Sequence, residues 1–373
     1  MFPMHTLSYQ SYVNLEAHSW RSESGTVPGL DFHRSLKGYL PTPLVDCPSL
    51  ARELGVKRVY YKDESHRLGL PAFKILGASW AIARAVSQHL GAPVPSSAAE
   101  LSEMTRGTSL TLVTATDGNH GRAVARVAGQ FGIHSRVYVP GGLKAEVLDS
   151  IRSEGAELIE TALVYDRTVE FAAASVGENE ILVQDTSWPG YDEVPQWIVD
   201  GYRTLFHEID ASLGELEAAE RRVVVVPVGV GSLMQAAIEH IRSSSYSAAT
   251  TIIGVEPESA ACVTSSLKAG ELVTVDTVFP TAMFGLNCGT PSLIAWDALR
   301  QGLDGMATVS EQQARSAIAD LSGCGIDAGA CGAAPLAGTK VILADEDFQE
   351  ILADTSNLVV ILIGTEGSLA NPT

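Results

Sequence analysis

The sequence predicts an α/β fold with a largely parallel sheet. Strand-like and helix-like segments alternate along most of the chain, which is typical of parallel strands connected by helices that cover the sheet. The run 223–228 is rich in valine and is expected to form a central strand buried on both faces. Several strand-like runs end in glycine-rich turns, where open α/β sheets bind their ligands. We therefore expect these turns to converge on one site.

Hydrophobic spacing and β-branched residues predict the individual elements. Ile82, Ala85 and Val86 recur near helical spacing, which favours a helix over 78–89. The other predicted elements are, in order, strands at 59–62, 110–114, 135–140, 158–159, 181–183, 223–228, 251–255 and 358–363 and helices at 121–131, 145–154 and 233–241.

Composition limits the class of protein. The 373 residues include 46% hydrophobic and 18% charged residues, which suits a globular protein with a sizeable core and either one large unit or two domains. The formal net charge of −19 disfavours nucleic acid and anionic membrane partners. No apolar run has membrane-spanning length, and the first residues lack the pattern of a signal peptide. We expect a cytoplasmic protein.

The five cysteines point away from a metal site. None of them forms a CxxC pair, so no metal is expected. Reduced, mostly buried thiols are the expectation for a cytosolic enzyme. A bridge between Cys262 and Cys288 stays open, because the sequence does not establish their proximity.

Lys74 lies in the apolar segment Pro71-Ala72-Phe73-Lys74. Loss of hydration there is expected to lower the pKa of its ammonium group and make the amine nucleophilic. Such amines form Schiff bases with carbonyl compounds, including pyridoxal phosphate. An ordinary lysine at the start of a helix remains an alternative interpretation.

A polar turn, Thr116 to Gly121, joins the predicted strand 110–114 to a helix. Asp117 or Asn119 can cap that helix. In a functional interpretation Asn119 hydrogen-bonds the phenolic oxygen of the cofactor ring and Asp117 faces the substrate. His120 is interpreted as a packing or hydrogen-bonding residue rather than a base.

Three further turns follow predicted strands. The first, Gly229 to Leu233, can hold a phosphate through backbone N–H groups, a helix N-terminus and the Ser232 hydroxyl, or it can be a plain tight turn. It lacks the full GxGxxG spacing of dinucleotide-binding sites. Asp185 is a turn residue or a second carboxylate of the site. Thr365 is placed to hydrogen-bond a pyridine nitrogen, or belongs to a plain terminal turn.

Together these segments resemble the fold-type II pyridoxal phosphate enzymes, the tryptophan synthase β and threonine dehydratase group, and within it the diaminopropionate ammonia-lyases. Dehydratases carry a serine where this chain has Asp117, which favours the lyases. The segments that carry the resemblance are Tyr39–Leu44, Lys62–Ser65, Ala72–Lys74, Ala115–Gly121, Gln184–Trp188, Gly190–Tyr191, Gly229–Ser232, Gly285–Gly289 and Thr365–Gly367.

The resemblance implies an architecture and a reaction. It implies two open, twisted, mostly parallel sheets with helices on both faces and the cofactor cleft between domains. The large cofactor-binding domain is expected at 1–80 and 165–373 and the small domain at 81–164. The implied reaction is the α,β-elimination of ammonia from 2,3-diaminopropionate, in either enantiomer, to give pyruvate and ammonia, carried out by a homodimer.

The resemblance also implies a role for each site residue. Lys74 binds pyridoxal phosphate covalently, and Asp117 and Asp185 are catalytic carboxylates. Lys74 and Asp117 can then act as bases on opposite faces of the substrate Cα. The remaining cofactor contacts are Asn119 to the ring oxygen, Gly229, Val230, Gly231, Ser232 and Leu233 to the phosphate, and Thr365 to the pyridine nitrogen.

Departures from the family pattern leave the substrate open. They are Pro71, Ala78 and the Ser-Trp-Pro-Gly segment at 187–190. A serine or threonine dehydratase and a β-replacement enzyme are alternatives within the same cofactor class. A non-catalytic ligand-binding protein that kept the fold is an alternative of a different class, and a nucleotide-binding dehydrogenase is disfavoured by the missing GxGxxG.

Overall fold

A computed structural model describes residues 8–23, 28–214, 220–279, 281–352 and 354–370. The chain divides into two compact, discontinuous units. The first unit comprises Met1–Gly25, Pro43–Asp63 and Leu213–Thr365, and the second comprises Thr26–Thr42, Glu64–Ser212 and Glu366–Thr373. The predicted small domain, 81–164, lies wholly inside the second unit, which extends beyond it on both sides; the division into a large and a small domain stays a prediction.

The elements alternate as the sequence predicts. The strands are β1 (Ser11–Val13), β2 (Leu44–Asp46), β3 (Arg58–Asp63), β4 (Thr111–Ala115), β5 (His134–Val139), β6 (Glu157–Glu160), β7 (Glu180–Leu182), β8 (Arg221–Pro227), β9 (Thr250–Pro257), β10 (Gly305–Val309) and β11 (Leu358–Gly364). The helices are α1 (Leu30–Ser35), α2 (Pro48–Leu54), α3 (Ile75–His89), α4 (Ala98–Thr105), α5 (Asn119–Gln130), α6 (Ala145–Arg152), α7 (Tyr165–Ala174), α8 (Glu193–Leu213), α9 (Ser232–Arg242), α10 (Cys262–Ala269), α11 (Trp296–Gly302), α12 (Glu311–Gly323), α13 (Ala330–Ala344) and α14 (Gln349–Leu352).

The first unit contains a seven-stranded sheet in the order β1-β10-β9-β8-β11-β3-β2. The five inner strands are parallel, whereas β1 and β2 pair antiparallel at the two edges. The valine-rich strand β8 lies in the middle of this order, so its predicted central position is confirmed. Its valines are almost fully buried, because parallel strands covered on both faces expose neither side to water.

The second unit contains a four-stranded parallel sheet in the order β6-β5-β4-β7. Helices α5 and α7 pack against β4 and β5. The predicted architecture of two mostly parallel sheets is therefore confirmed. The turns that follow β4 and β7 lie at the carboxyl ends of neighbouring strands, and they carry the site residues of this unit.

Helices α3 and α8 approach each other closely within the second unit. A Cβ atom added at Gly77 would lie 2.5 Å from the Tyr202 ring, and one added at Gly201 would lie 2.5 Å from the carbonyl oxygen of Leu76. Real Cβ atoms do not make contacts this short, so both glycines are required by the crossing. Helix α3 begins directly after Lys74, so the crossing also fixes the backbone that follows this lysine.

We expect Gly201→Ala to lower the free energy of unfolding by about 1–3 kcal/mol, because the added methyl group forces the two backbones apart. Urea unfolding followed by circular dichroism measures this change. Gly129→Ala is the matched control, since an added Cβ there lies 3.5 Å from its nearest neighbour in an exposed part of α5. Equal urea midpoints for Gly201→Ala and the wild type would contradict the close crossing.

The described part of the chain has free thiols and neither a membrane-spanning helix nor a metal-binding cluster. Cys262 and Cys288, both described, are not joined by a disulfide, so the bridge left open by the sequence does not form. Among the described residues no helix is long and apolar enough to cross a membrane, and the described histidine, cysteine and acidic residues form no cluster suited to a metal ion.

Candidate active site

Lys74 forms an ion pair in the second unit. Its Nζ donates a hydrogen bond to Asp185 Oδ2 over 2.6 Å, and it lies 5.6 Å from the centre of the Phe73 ring. The Lys74 side chain retains 22% of its exposure and that of Asp185 only 8%. The structure therefore brings together an amine and a carboxylate that are 111 residues apart.

The pKa of Lys74 moves in the opposite direction to the sequence prediction. Burial does act to lower it, as predicted, but Asp185, the nearby Tyr202 and Asp117 together raise it above its ordinary value. The prediction of a lowered pKa is wrong because it considered only the apolar neighbours in the sequence. Lys74 is held as an ammonium here and must release a proton before it can attack a carbonyl group.

The backbone around Asp185 is held by hydrogen bonds to the sheet. Val183 N donates to Val113 O over 2.8 Å, and the Gln184 side chain accepts from Ala115 N over 3.0 Å. The Tyr191 hydroxyl accepts from Gln184 N over 2.9 Å. Asp185 is thus held in the turn at the carboxyl end of β7.

Asp185 is ionised over the physiological range. Burial acts to raise its pKa, but His120 and Lys74 outweigh burial and lower the pKa to about 2. His120 Nε2 lies 2.8 Å from Val183 O, and its Nδ1 lies 3.7 Å from Asp185 Oδ2. Burial lowers the pKa of His120, although Asp185 acts to raise it, and the contact with Val183 O fits the hydrogen-bonding role predicted for this ring.

The turn before α5 is organised by Thr116. Its hydroxyl accepts hydrogen bonds from Gly118 N over 3.0 Å and from Gly121 N over 3.1 Å. Gly118 occupies the N-cap position without a side-chain cap, so the alternative that Asp117 or Asn119 caps the helix is wrong. A Cβ at Gly121 would lie 2.2 Å from the Thr116 methyl group, which explains the glycine there.

The Asp117 carboxyl is therefore not needed to cap α5. Burial raises its pKa to about 6, and Asp185 and Glu366 add to the rise while Lys74 opposes it. Asp117 exchanges its proton close to neutral pH, whereas Asp185 stays ionised. Two carboxyl groups with separated pKa values around one amine are typical of acid–base sites.

Asn119 contacts a carboxylate that the sequence pattern did not predict as a site residue. Its Nδ2 donates to Glu366 Oε2 over 2.7 Å. Glu366 is 2% exposed and directly follows Thr365. The sequence signal for it is the acidic residue within the Gly-Thr-Glu-Gly turn, next to the threonine predicted to contact the cofactor.

A buried ion cluster anchors the segment that leads to Lys74. Arg67 donates two hydrogen bonds to Glu64 and two to Glu208, each between 2.6 and 2.7 Å. Arg67 and Leu70 close a tight turn whose central residues, Leu68 and Gly69, have φ values of 52° and 78°. A positive φ at both central positions matches a type I′ turn and strains the leucine.

The first unit holds the other predicted cofactor residues. Gly231 has φ of 98° and precedes α9, and Gly229 cannot carry a Cβ, because one would lie 2.9 Å from the carbonyl oxygen of Gly285. Val230 O accepts from Ser292 N over 2.8 Å, which fixes the turn. Ser232 and Leu233, both largely buried, form the first turn of α9, and its N–H groups suit an anion.

The sequence that carries these site residues matches a known enzyme family. The family model for pyridoxal-phosphate dependent enzymes matches residues 36–364. The chain belongs to that family. The diaminopropionate ammonia-lyase of Escherichia coli K12, a curated relative, is 33% identical over 365 residues, which cover 95% of this chain and 92% of the relative. The predicted resemblance is confirmed.

Solved structures of pyridoxal-phosphate dependent enzymes share the fold. The E. coli diaminopropionate ammonia-lyase in complex with D-serine has a TM-score of 0.86 and 30% identity, with 97% of this chain and 94% of that chain covered. The same enzyme with an aminoacrylate-PLP azomethine reaction intermediate has a TM-score of 0.83, 30% identity and coverage of 98% and 95%. The predicted fold type and cofactor are confirmed.

The residues present fit pyridoxal phosphate. The Thr365 Oγ1 is buried and has no hydrogen-bond partner among the described residues, which suits a hydroxyl that meets a ligand nitrogen. The glycine turn leads into the N-terminus of α9, whose backbone N–H groups suit an anion. Lys74 supplies the amine that the cofactor's aldehyde requires.

Proposed function

We propose that this protein eliminates ammonia from 2,3-diaminopropionate and releases pyruvate. The observation that carries the proposal is a pair of carboxyl groups that act on Lys74: Asp185, 2.6 Å from its Nζ, and Asp117, whose charge raises the pKa of the lysine. A carboxylate binds the cationic β-ammonium group of a diamine more strongly than a serine hydroxyl would. The relatives with 33% identity are named for this reaction, which supports the same assignment.

The proposed roles follow the chemistry of each group. Lys74 binds the cofactor covalently, Asn119 donates to its ring oxygen, and Thr365 meets its pyridine nitrogen. A hydroxyl partner leaves that nitrogen unprotonated. Gly229, Val230, Gly231, Ser232 and Leu233 hold the phosphate. When bound, the cofactor supplies an electron sink for the carbanion formed at the substrate Cα.

Proton transfer is assigned to Lys74 and Asp117, and Asp185 supports Lys74. Asp185, 2.6 Å from Lys74 Nζ, keeps the charge of the lysine balanced and orients its amine. Asp117, with a pKa of about 6, can both take and return a proton near neutral pH. Lys74 and Asp117 acting on opposite faces of the Cα would allow both enantiomers to react. We further propose a homodimer in the cytoplasm, which sedimentation and cell fractionation would test.

The decisive experiment compares substrates. Purified protein loaded with pyridoxal phosphate is assayed for pyruvate from D- and L-2,3-diaminopropionate and from D- and L-serine, and for 2-oxobutanoate from threonine. We expect diaminopropionate to have the highest kcat/KM by at least about tenfold. Faster turnover of serine or threonine would identify a dehydratase instead, and no turnover with a bound cofactor would favour the non-catalytic alternative.

We expect Thr365→Val to weaken binding of pyridoxal phosphate about fivefold, because one hydrogen bond of about 1 kcal/mol is lost. The stability of the cofactor-free protein should not fall, since the Thr365 Oγ1 has no hydrogen-bond partner among the described residues. Equilibrium dialysis and urea unfolding measure the two quantities. Thr365→Ser, which keeps the hydroxyl, is the control; equal cofactor affinity in all three proteins would contradict the role.

A further inference from the structure

Glu366 has a fixed backbone beside the lysine segment of the second unit. It pairs with Ala72 in an isolated antiparallel bridge, and Gly367 N donates to Pro71 O over 3.0 Å. Ala72 precedes Lys74 by two residues. The main chain, rather than the side chain of Glu366, therefore sets the position of this residue relative to the lysine segment.

The side chain of Glu366 fixes the amide of Asn119. The Asn119 Nδ2 donates to Glu366 Oε2 over 2.7 Å, so the nitrogen of the amide faces Glu366. A carboxylate favours this orientation because it only accepts hydrogen bonds when it is ionised. The second Nδ2 hydrogen then remains as the donor that Asn119 can offer to a ligand. Asn119 is the first residue of α5, so its backbone is also held.

Glutamine has the same shape as glutamate and would fit the same position. A carboxylate that is 2% exposed costs more desolvation energy than that amide when it is ionised. Glutamine, however, can both donate and accept, and would permit either orientation of the Asn119 amide. A carboxylate, which only accepts hydrogen bonds when it is ionised, favours one orientation of that amide.

We propose that Glu366 is a positioning residue that holds Asn119 with an N–H, not a carbonyl oxygen, directed to the ring oxygen of pyridoxal phosphate. This inference rests on the proposed cofactor role of Asn119. A donated hydrogen bond favours the ionised form of the ring oxygen, and a carbonyl oxygen in its place favours the protonated form. These two forms of lysine-bound cofactor absorb in the visible and in the near ultraviolet.

The test measures the absorption spectrum of resting, cofactor-loaded protein. We expect Glu366→Gln to lower the ratio of visible to near-ultraviolet absorbance about fivefold, the equivalent of one hydrogen bond. In an Asn119→Ala background the same substitution should change the ratio no further. An unchanged spectrum in Glu366→Gln, or an equal change in the Asn119→Ala background, would overturn the proposal.

Two measurements distinguish a positioning role for Glu366 from a purely structural one. Urea unfolding of the cofactor-free proteins should give similar midpoints for Glu366→Gln and the wild type; a large loss of stability with an unchanged spectrum would assign Glu366 a structural role instead. The spectra need no substrate, so they stand apart from the identity of the reaction. Turnover of diaminopropionate by the wild type, with no spectral change in the variant, would reject only the role of Glu366.

Discussion

Replacing Lys74 with alanine is expected to abolish covalent binding of pyridoxal phosphate and to lower kcat by about 10³-fold or more, the scale on which acid–base groups act. The variant loses the group of the proposed site that attacks the cofactor's aldehyde. Borohydride reduction followed by peptide mass spectrometry measures the covalent bond, and pyruvate release measures the activity. The wild-type protein should carry the reduced cofactor on Lys74.

Lys74→Arg is the matched control for this result. A guanidinium group keeps the positive charge opposite Asp185 but does not act as a nucleophile. We therefore expect Lys74→Arg to be as inactive as Lys74→Ala while retaining more stability, because Asp185 keeps a cationic partner in a buried position. If the reduced cofactor were found on a different lysine in either variant, Lys74 would not be the residue that binds it covalently.

The strongest local patterns predicted the fold correctly. Strand β8 is a valine run and helix α5 follows a glycine-rich turn, so their type could be inferred from neighbouring residues alone. Strand β10 was not predicted, because Gly305, Met306 and Ala307 lack the β-branched pattern and form a strand only through pairing with β9 and β1. The edge strands β1 and β2 were also not predicted, because each has only three residues and such short runs give a weak local pattern.

The contacts and pKa directions of the predicted site residues depend on parts of the chain far from them in sequence. At the start of α5 the Thr116 hydroxyl accepts hydrogen bonds from Gly118 N and Gly121 N, whereas the local sequence favours Asp117 or Asn119 for this role. The direction of the Lys74 pKa depends on Asp185, and the orientation of Asn119 on Glu366, 247 residues away. Partners this distant in sequence are set by the sheet topology, which a local pattern does not encode.

Asp117→Asn is expected to lower kcat/KM for one enantiomer of diaminopropionate by about 10²–10⁴-fold, the usual effect of losing an acid–base group. The other enantiomer, if served by Lys74, should lose much less. With a pKa of about 6, Asp117 gives the wild type a rise in kcat/KM as the pH increases through about 6, and this limb should be absent from the variant. Initial rates between about pH 5 and 8 measure both effects.

The same substitution should act on stability in the opposite direction. The native pKa of Asp117, about 6, lies above its unfolded value of 3.8, so the native state binds the proton more tightly than the unfolded state does. Native stability therefore falls as the pH rises from about 4 to 6, and the loss persists at higher pH. Asparagine does not titrate, so Asp117→Asn should be more stable than the wild type above about pH 6, by roughly 1–3 kcal/mol.

The two opposite changes separate a functional carboxylate from a structural one. Asp149→Asn is the control, because the Asp149 side chain is 74% exposed and should change neither activity nor stability. If Asp117 served packing, Asp117→Asn would lower stability and activity together. A gain in stability together with a loss of turnover for one enantiomer would show that this carboxylate destabilises the fold and serves the reaction. Such an exchange of stability for activity is common in active sites.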